Sequence, residues 1–487
     1  MQHANARLAV WPLFATGVLL PLLGGCSLPA PHPLQRLQLP QSPVRVPLAE
    51  APLHAGTAES DGNACLTRIG TEGARELAPD ASLDDYRLFA ALNNPGLRAL
   101  FERWRAQTER VPQVRSLPEP RLTYTEFVES IETRTGPQER SFGLRQEFPW
   151  FGKLRLRGSI AEEKAAAAWN RFIGAQLALD HRVRTTYADY FFLGRSIAVT
   201  RENLELLLRL ERVARERFAA GAENHTDVIR LQVEMGGLED RLETLLDKRR
   251  PVQAQLNALL NRSIETEIAW PTELPEDSFH VDDVEVARRL KEHNPELLAL
   301  HHEIEGAELA RSLAAKEYFP DFALGVQTIA TGSAVASGTR GSGDDPWLLS
   351  LSIELPLWFS KYRAGARQAQ ANWRAARDER QNARNRLAAD VELVLYQLRD
   401  ARRRIDLYGG GLVRKAEEAL ASTEASFQAD RSDFSDWIDV ERVLLDYQLA
   451  RERARADRFR AEADLDRYLG RYLGSYVGPL SKAEADE

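Results

Sequence analysis

Asp436 and Asp439 stand three residues apart, a spacing that puts both carboxylates on one face of a helix. Such a pair could draw cations and would respond to pH and salt. A plainer reading is equally open: Asp436 favours a helix N-terminus and Asp439 is solvated. His301-His302 with Glu303 and Glu305 invites a metal site. Adjacent histidines on a helix point in different directions, though, and no His pair at i, i+4 accompanies them, so a solvated face is expected. Nine His, two Met and two Cys make no chelating tract. "GTRGSGDD" (338–345) lacks the Gly-Lys-Ser/Thr ending of a phosphate loop and reads as a surface loop. Nucleophile, base and orienting group never occur together, so neither an enzyme nor a metal or organic cofactor is expected.

The whole chain has 487 residues, with 64 basic and 72 acidic side chains. A net charge of −8 argues against a nucleic-acid partner, which would need clustered Lys and Arg. Residues 1–25 read as a signal peptide, with Arg7 before an apolar core too short and proline-broken to span a membrane. Leu23-Gly24-Gly25-Cys26 resembles the bacterial lipobox, which implies acylation of Cys26; Ser27 after it favours the outer membrane. Only Cys65 then remains, so no internal disulfide is possible. The prolines from Pro29 to Pro52 make residues 26–80 a semi-rigid tether.

The rest of the chain repeats itself. Asn94-Pro95 with Leu97, Ala99 and Leu100 recurs as Asn294-Pro295 with Leu297, Ala299 and Leu300. Pro120 answers Pro320, "EFPWFGK" (147–153) answers "ELPLWFSK" (354–361), and Asp227 answers Asp436. A slowly drifting offset is the mark of a duplicated unit with small insertions. The repeats are expected over 81–268 and 284–476, joined by a non-helical connector at 269–283 and followed by a tail at 477–487. Each holds a hairpin (about 120–149 and 320–356) with a long turn-rich tip, "ETRTGPQ" in the first and 331–346 in the second. Each hairpin leads into a proline-free helix, 153–220 and 361–428, roughly 100 Å long at 1.5 Å per residue. Gly409-Gly410-Gly411 should bend or open the second of these. Thr226 and Ser435 are the expected caps of the returning helices.

"LSLSIEL" (349–355) alternates apolar and polar residues without a slip, the period of a strand with one oily face. Four such strands cannot close a barrel, and lipid does not tolerate open edges, so other copies must complete it. Trp150 and Phe151, and again Trp358 and Phe359, fall where strand yields to helix, the place of an aromatic girdle at the lipid headgroups.

The duplicated Asn-Pro start, the Pro-bounded hairpins, "FPWFGKLRLR" and the Gly221-to-Asp227 turn together resemble the TolC family of outer-membrane efflux ducts, from Leu83 to about Gly474. "FPWFGKLRLR" and the lipobox lean toward its heavy-metal branch, similar to CzcC and CusC. The resemblance implies a mainly α protein with a membrane β-barrel: a homotrimer with twelve strands in outer-membrane lipid, continued by a periplasmic α-helical barrel. It also implies docking on a periplasmic adaptor and an inner-membrane pump of the RND type. Asp436 and Asp439 would then ring the periplasmic gate, and Gly221, Ala222, Glu223, Asn224, Ser432 and Asp433 would form the adaptor-docking tips. Asp430 departs from the family's usual glycine at the second tip, which weakens that contact. The alternative function is a periplasmic adaptor lipoprotein, which would show one helical hairpin set among small β-domains.

Overall fold

The computed structural model describes residues 77, 78, 81–219, 225–275, 282–429 and 431–471. The signal peptide, Cys26, Cys65, the tether, the first tip (Gly221, Ala222, Glu223, Asn224), Asp430 and the tail lie outside these residues.

Two copies of one layout follow each other. The first holds α1 (Leu83–Asn93), α2 (Pro95–Arg115), β1 (Arg121–Thr133), β2 (Gly136–Phe148), α3 (Lys153–Ala219), α4 (His225–Asp247) and α5 (Arg249–Leu259). The second holds α6 (Asp283–His293), α7 (Pro295–Lys316), β3 (Asp321–Thr331), β4 (Trp347–Glu354), α8 (Phe359–Leu407), a π-turn (Tyr408–Leu412), α9 (Val413–Gln428) and α10 (Phe434–Tyr468). The 67 residues of α3 form one unbroken helix, about 100 Å long. Its counterpart is interrupted at the three glycines, which adopt the wider π geometry.

The Asn-Pro starts explain why a helix begins at each copy's second segment. Proline suits the first helical position, since its missing N–H would have no partner there. Asn94 Oδ1 accepts from Leu97 N, and Asn294 Oδ1 accepts from Glu296 N and Leu297 N. Each asparagine also donates from Nδ2 to the end of its own repeat, Asn94 to Leu259 O at 3.2 Å and Asn294 to Tyr468 O at 3.0 Å. One side chain thus caps a helix and closes a repeat. Asn294→Ala should therefore cost the cap, about 1 kcal/mol, and strand a carbonyl for about 1–3 kcal/mol more. Thermal unfolding followed by circular dichroism would read the loss, and an unchanged midpoint would refute it.

The four strands form one antiparallel sheet in the order β1-β2-β3-β4. The two hairpins are joined through β2 and β3, with Leu144 opposite Val326 and Phe148 opposite Phe322. The first hairpin tip is not the long loop expected from "ETRTGPQ". Pairing runs up to Thr133 opposite Gly136, leaving Arg134 and Thr135 as a tight turn, with a bulge between Glu126 and Ile131. Gly136 makes this possible: its φ of +135° is one that L side chains rarely adopt, and an added Cβ would meet Gly332 O. The second tip is long, as expected, and folds over the first, with Gly343 N donating to Thr135 O at 2.9 Å. "GTRGSGDD" lies in it.

The helices pack around three large apolar clusters, with a small fourth of Val413, Ala416 and Leu444 between α9 and α10. One joins α1, α3 and α5 through Tyr86, Phe172, Val183, Phe191 and Leu256. Its second-copy counterpart joins α6, α7, α8 and α10 through Leu290, Leu297, Val391, Leu395 and Leu465. The third binds the far halves of α3, α4, α9 and α10 through Leu207, Leu210, Leu231, Phe427, Trp437 and Leu445. Among the described residues no helix is long and apolar enough to cross a membrane.

Candidate functional site

Strand register sorts the sheet's side chains into two unlike faces. Residues directly opposite share a face, so Leu122, Leu144, Val326 and Leu349 form one apolar row across all four strands. The next rows on that face bring Leu324 to Leu351, and Phe148 and Phe322 to Ile353. Behind them, Thr123 and Gly143 lie level with Gln327, and Arg145 and Gly325 with Ser350; Ile329 and Leu348 interrupt this polar face, and Gln146, Glu126 and Arg140 interrupt the apolar one. The apolar face is bare. Leu349 is 85% exposed and Leu351 63%, far beyond what a water-facing sheet would leave open. The outer edges of β1 and β4 have no partner strand among the described residues.

The four aromatic residues lie where the strands give way to helices. Trp150 follows β2, its ring stacked on Phe319 at 5.3 Å, and Phe151 is exposed. Trp358 and Phe359, both exposed, stand at the start of α8. Beneath Trp150 the chain turns from sheet to helix around Lys153, which is buried. Lys153 Nζ donates to Asp321 Oδ1 at 2.9 Å and to Phe319 O at 3.2 Å, and Asp321 Oδ1 also accepts from Trp150 N at 2.6 Å. A buried ammonium needs such partners. One carboxylate thereby fixes the helix that leaves β2 to the start of β3.

At the other end of the helices, the second tip is an aromatic knot. Phe427, Phe434 and Trp437 contact one another, and Arg217 of α3 lies over Phe427 at 4.6 Å while donating to its carbonyl. The N-cap of α10 is Asp433, not Ser435, and Thr226 lies inside α4. The earlier start follows from Phe434, which the helix must bring to the buried side of its first turn. Ser432 Oγ reaches Thr423 O at 3.4 Å. Asp436 and Asp439 are exposed on one face of α10, as the spacing required. Their surroundings differ. Asp439 Oδ1 lies 3.5 Å from Arg442 Nη1, and Arg442 also pairs with Glu234 of α4; Asp436 has no ionic partner among the described residues.

The histidine pair is less solvated than expected. His301 is exposed, but His302 is half-buried with Nδ1 2.8 Å from Glu163 Oε2, and Glu303 pairs with Arg171. Both contacts tie α7 to α3. No group of metal ligands occurs among the described residues.

Sequence reasoning missed the acidic residues that α10 buries. Glu441 and Glu452 are fully buried. Glu452 has three arginines around it, whereas neither oxygen of Glu441 has a hydrogen-bond partner among the described residues. A signal was present: both fall on the buried stripe of α10, with Phe434, Trp437, Ile438, Leu445 and Leu449.

Comparison with known proteins agrees with this architecture. VceC from Vibrio cholerae is 19% identical with a TM-score of 0.67, covering 80% of this chain and 96% of its own. The open-state MtrE channel of Neisseria gonorrhoeae is 19% identical at a TM-score of 0.65, covering 80% and 89%. CusC is 14% identical at a TM-score of 0.68, covering 80% and 92%. No curated protein matches the chain. At such identities these structures speak to the fold: a membrane barrel joined to a long helical part. The sequence profile described as "Outer membrane efflux protein" matches residues 89–262 and 286–471, one segment in each repeat. With both repeats matched almost throughout, the chain belongs to the outer membrane efflux protein family, whose members are transport ducts and not enzymes.

Proposed function

We propose that three copies of the chain close a twelve-stranded barrel in the outer membrane and form the exit duct of a tripartite efflux system. The observation that carries this is the sheet, with a bare apolar face, two unpaired edges and two strands that lead directly into very long helices. Edges left open in lipid cost several kcal/mol per unsatisfied group, and pairing β4 of one copy with β1 of the next removes them. An adaptor would instead place a helical hairpin among separate small β-domains, whereas here all four strands share one sheet. The helices run into the periplasm, where the two tips meet the adaptor, and an inner-membrane pump of the RND type supplies the energy. Cys26 carries the acyl anchor.

The cargo reading is heavy-metal cations, supported by "FPWFGKLRLR" and by carboxylates at the second tip. With no ligand cluster among the described residues, an ion would pass and not be held. Asp436 and Asp439 form the entrance ring, and Arg442 partly neutralises Asp439, so Asp436 is the stronger of the two. Single-channel conductance in a planar bilayer tests this. Small cation-selective currents should grow in Asp436→Ala plus Asp439→Ala, with Asp436→Ala giving most of the gain. Equal currents in all forms would leave the duct and remove the gate; a folded, inserted protein that never conducts, even with both carboxylates removed, would overturn the duct.

A further inference from the structure

Glu441 is the one acidic residue of the tip region that α10 turns inward. It is buried on the stripe of α10 that gives Trp437, Ile438 and Leu445 to the cluster joining α3, α4, α9 and α10. Asn203 of α3 meets Gln448 of α10, so in antiparallel register Glu441, seven residues back, falls at about the level of Leu210. The charges acting on it are Glu234 of α4 and Arg442 and Asp446 of its own helix. α3 faces this cluster with Leu204, Leu207 and Leu210, and its nearest partly buried acid, Glu211, is taken by Arg215. On α9, Arg414, Lys415, Glu417 and Glu418 are exposed and Glu424 is half-buried. Arg442, the one cation near Glu441, is already shared by Glu234 and Asp439.

We propose that Glu441 is a proton-operated latch between the two helical hairpins, α3–α4 and α9–α10. The protonated carboxyl is a neutral, tolerable member of an apolar seam. When it loses its proton to water, an unpartnered carboxylate stands in that seam beside Glu234 and Asp446, and the hairpins part. Burial, followed by the neighbouring Glu234, pushes the carboxyl up from near 4.5 to about 7. The sign is fixed by linkage: a raised value in the packed state means that packing is fully supported below pH 4.5 and loses that support as pH rises through 7. Over that interval the closed-to-open ratio should fall on the order of a hundredfold, about tenfold for each step of one in pH.

The inference rests on the duct reading, so the test separates the two. Amide hydrogen exchange in α4 and α10 of the purified, detergent-solubilised protein is measured at pH 5.5 and 8, alongside bilayer conductance at the same pH values. The wild type should exchange faster and conduct more at pH 8. Glu441→Gln, the permanently neutral shape-match, should hold the pH 5.5 behaviour at both pH values, and Glu441→Leu should do the same if the glutamine variant folds poorly. Exchange that is pH-sensitive beyond the intrinsic chemical rate, and lost in Glu441→Gln, supports the latch even if no current flows; if current is absent also from Asp436→Ala plus Asp439→Ala, only the duct reading fails. Exchange and conductance whose pH response survives Glu441→Gln, or is absent from the wild type, overturn the latch.

Discussion

Leu351→Arg is expected to keep the protein out of the outer membrane, while Ser350→Arg, one residue away, leaves assembly largely intact. Leu351 is in the middle of β4, opposite Leu324, on the bare apolar face. An arginine facing lipid near the bilayer midplane costs about 2–4 kcal/mol per chain, and a trimer would incur it three times. Ser350 lies opposite Gly325 on the polar face, where the new charge would meet water in the lumen. Membrane fractionation and the mobility of unheated trimers on gels give the readout. Equal tolerance of both substitutions would mean that the faces are wrongly assigned to lipid and water.

Glu452→Ala should cause a large loss of stability in the helical part. Its carboxylate is fully buried and receives Arg451 at 2.9 Å, Arg455 at 3.2 Å and Arg195 at 3.6 Å, the last from α3. Removing one partner of a buried ionic group costs about 3–5 kcal/mol, because the charges left behind are uncompensated. The three arginines keep about a third of their surface in water, which sets the expectation at the lower end, about 3 kcal/mol. Glu452→Gln retains acceptor and shape and should lose less. Chemical denaturation monitored at 222 nm would show the order Ala below Gln below wild type. If alanine matches wild type, the cluster contributes nothing net to stability.

What could be read from the sequence was what local periodicity carries. The duplicated Asn-Pro starts, the alternation of "LSLSIEL" and the spacing of Val391, Val394, Leu395 and Leu398 each repeat a pattern that one helix or strand imposes on its own residues. The errors arose where a distant residue decides. "ETRTGPQ" has the composition of a loop, but pairing with β2 extends the strand through most of it. Ser435 looks like the better cap, but the buried seat of Phe434 moves the helix start to Asp433. His302 finds Glu163, and Arg442 finds Glu234, across separations of 139 and 208 residues. No sequence pattern predicts those contacts, so the neutralising neighbour of Asp439 was invisible. Glu441 and Glu452 were visible as acids on an apolar stripe, which should have marked them as buried.

The three glycines of the π-turn occur in one repeat alone. At the corresponding level of α3 stand Arg201 to Asn203, and the helix passes through them unbroken, with Asn203 bonded to Gln448. Beside Gly410 and Gly411 nothing lies within 4 Å of where a side chain would begin, and the turn is held to α10 through Tyr408 on Tyr447 and Gly409 near Arg451 among the described residues. In the proposed ring of three chains there would be six hairpins of similar outline but two mechanical kinds, jointed and stiff, in alternation. Its outline would be close to sixfold and its compliance threefold. A widening at the tip end would move every second wall element about its glycine joint while the neighbours between them stayed in place as fixed struts.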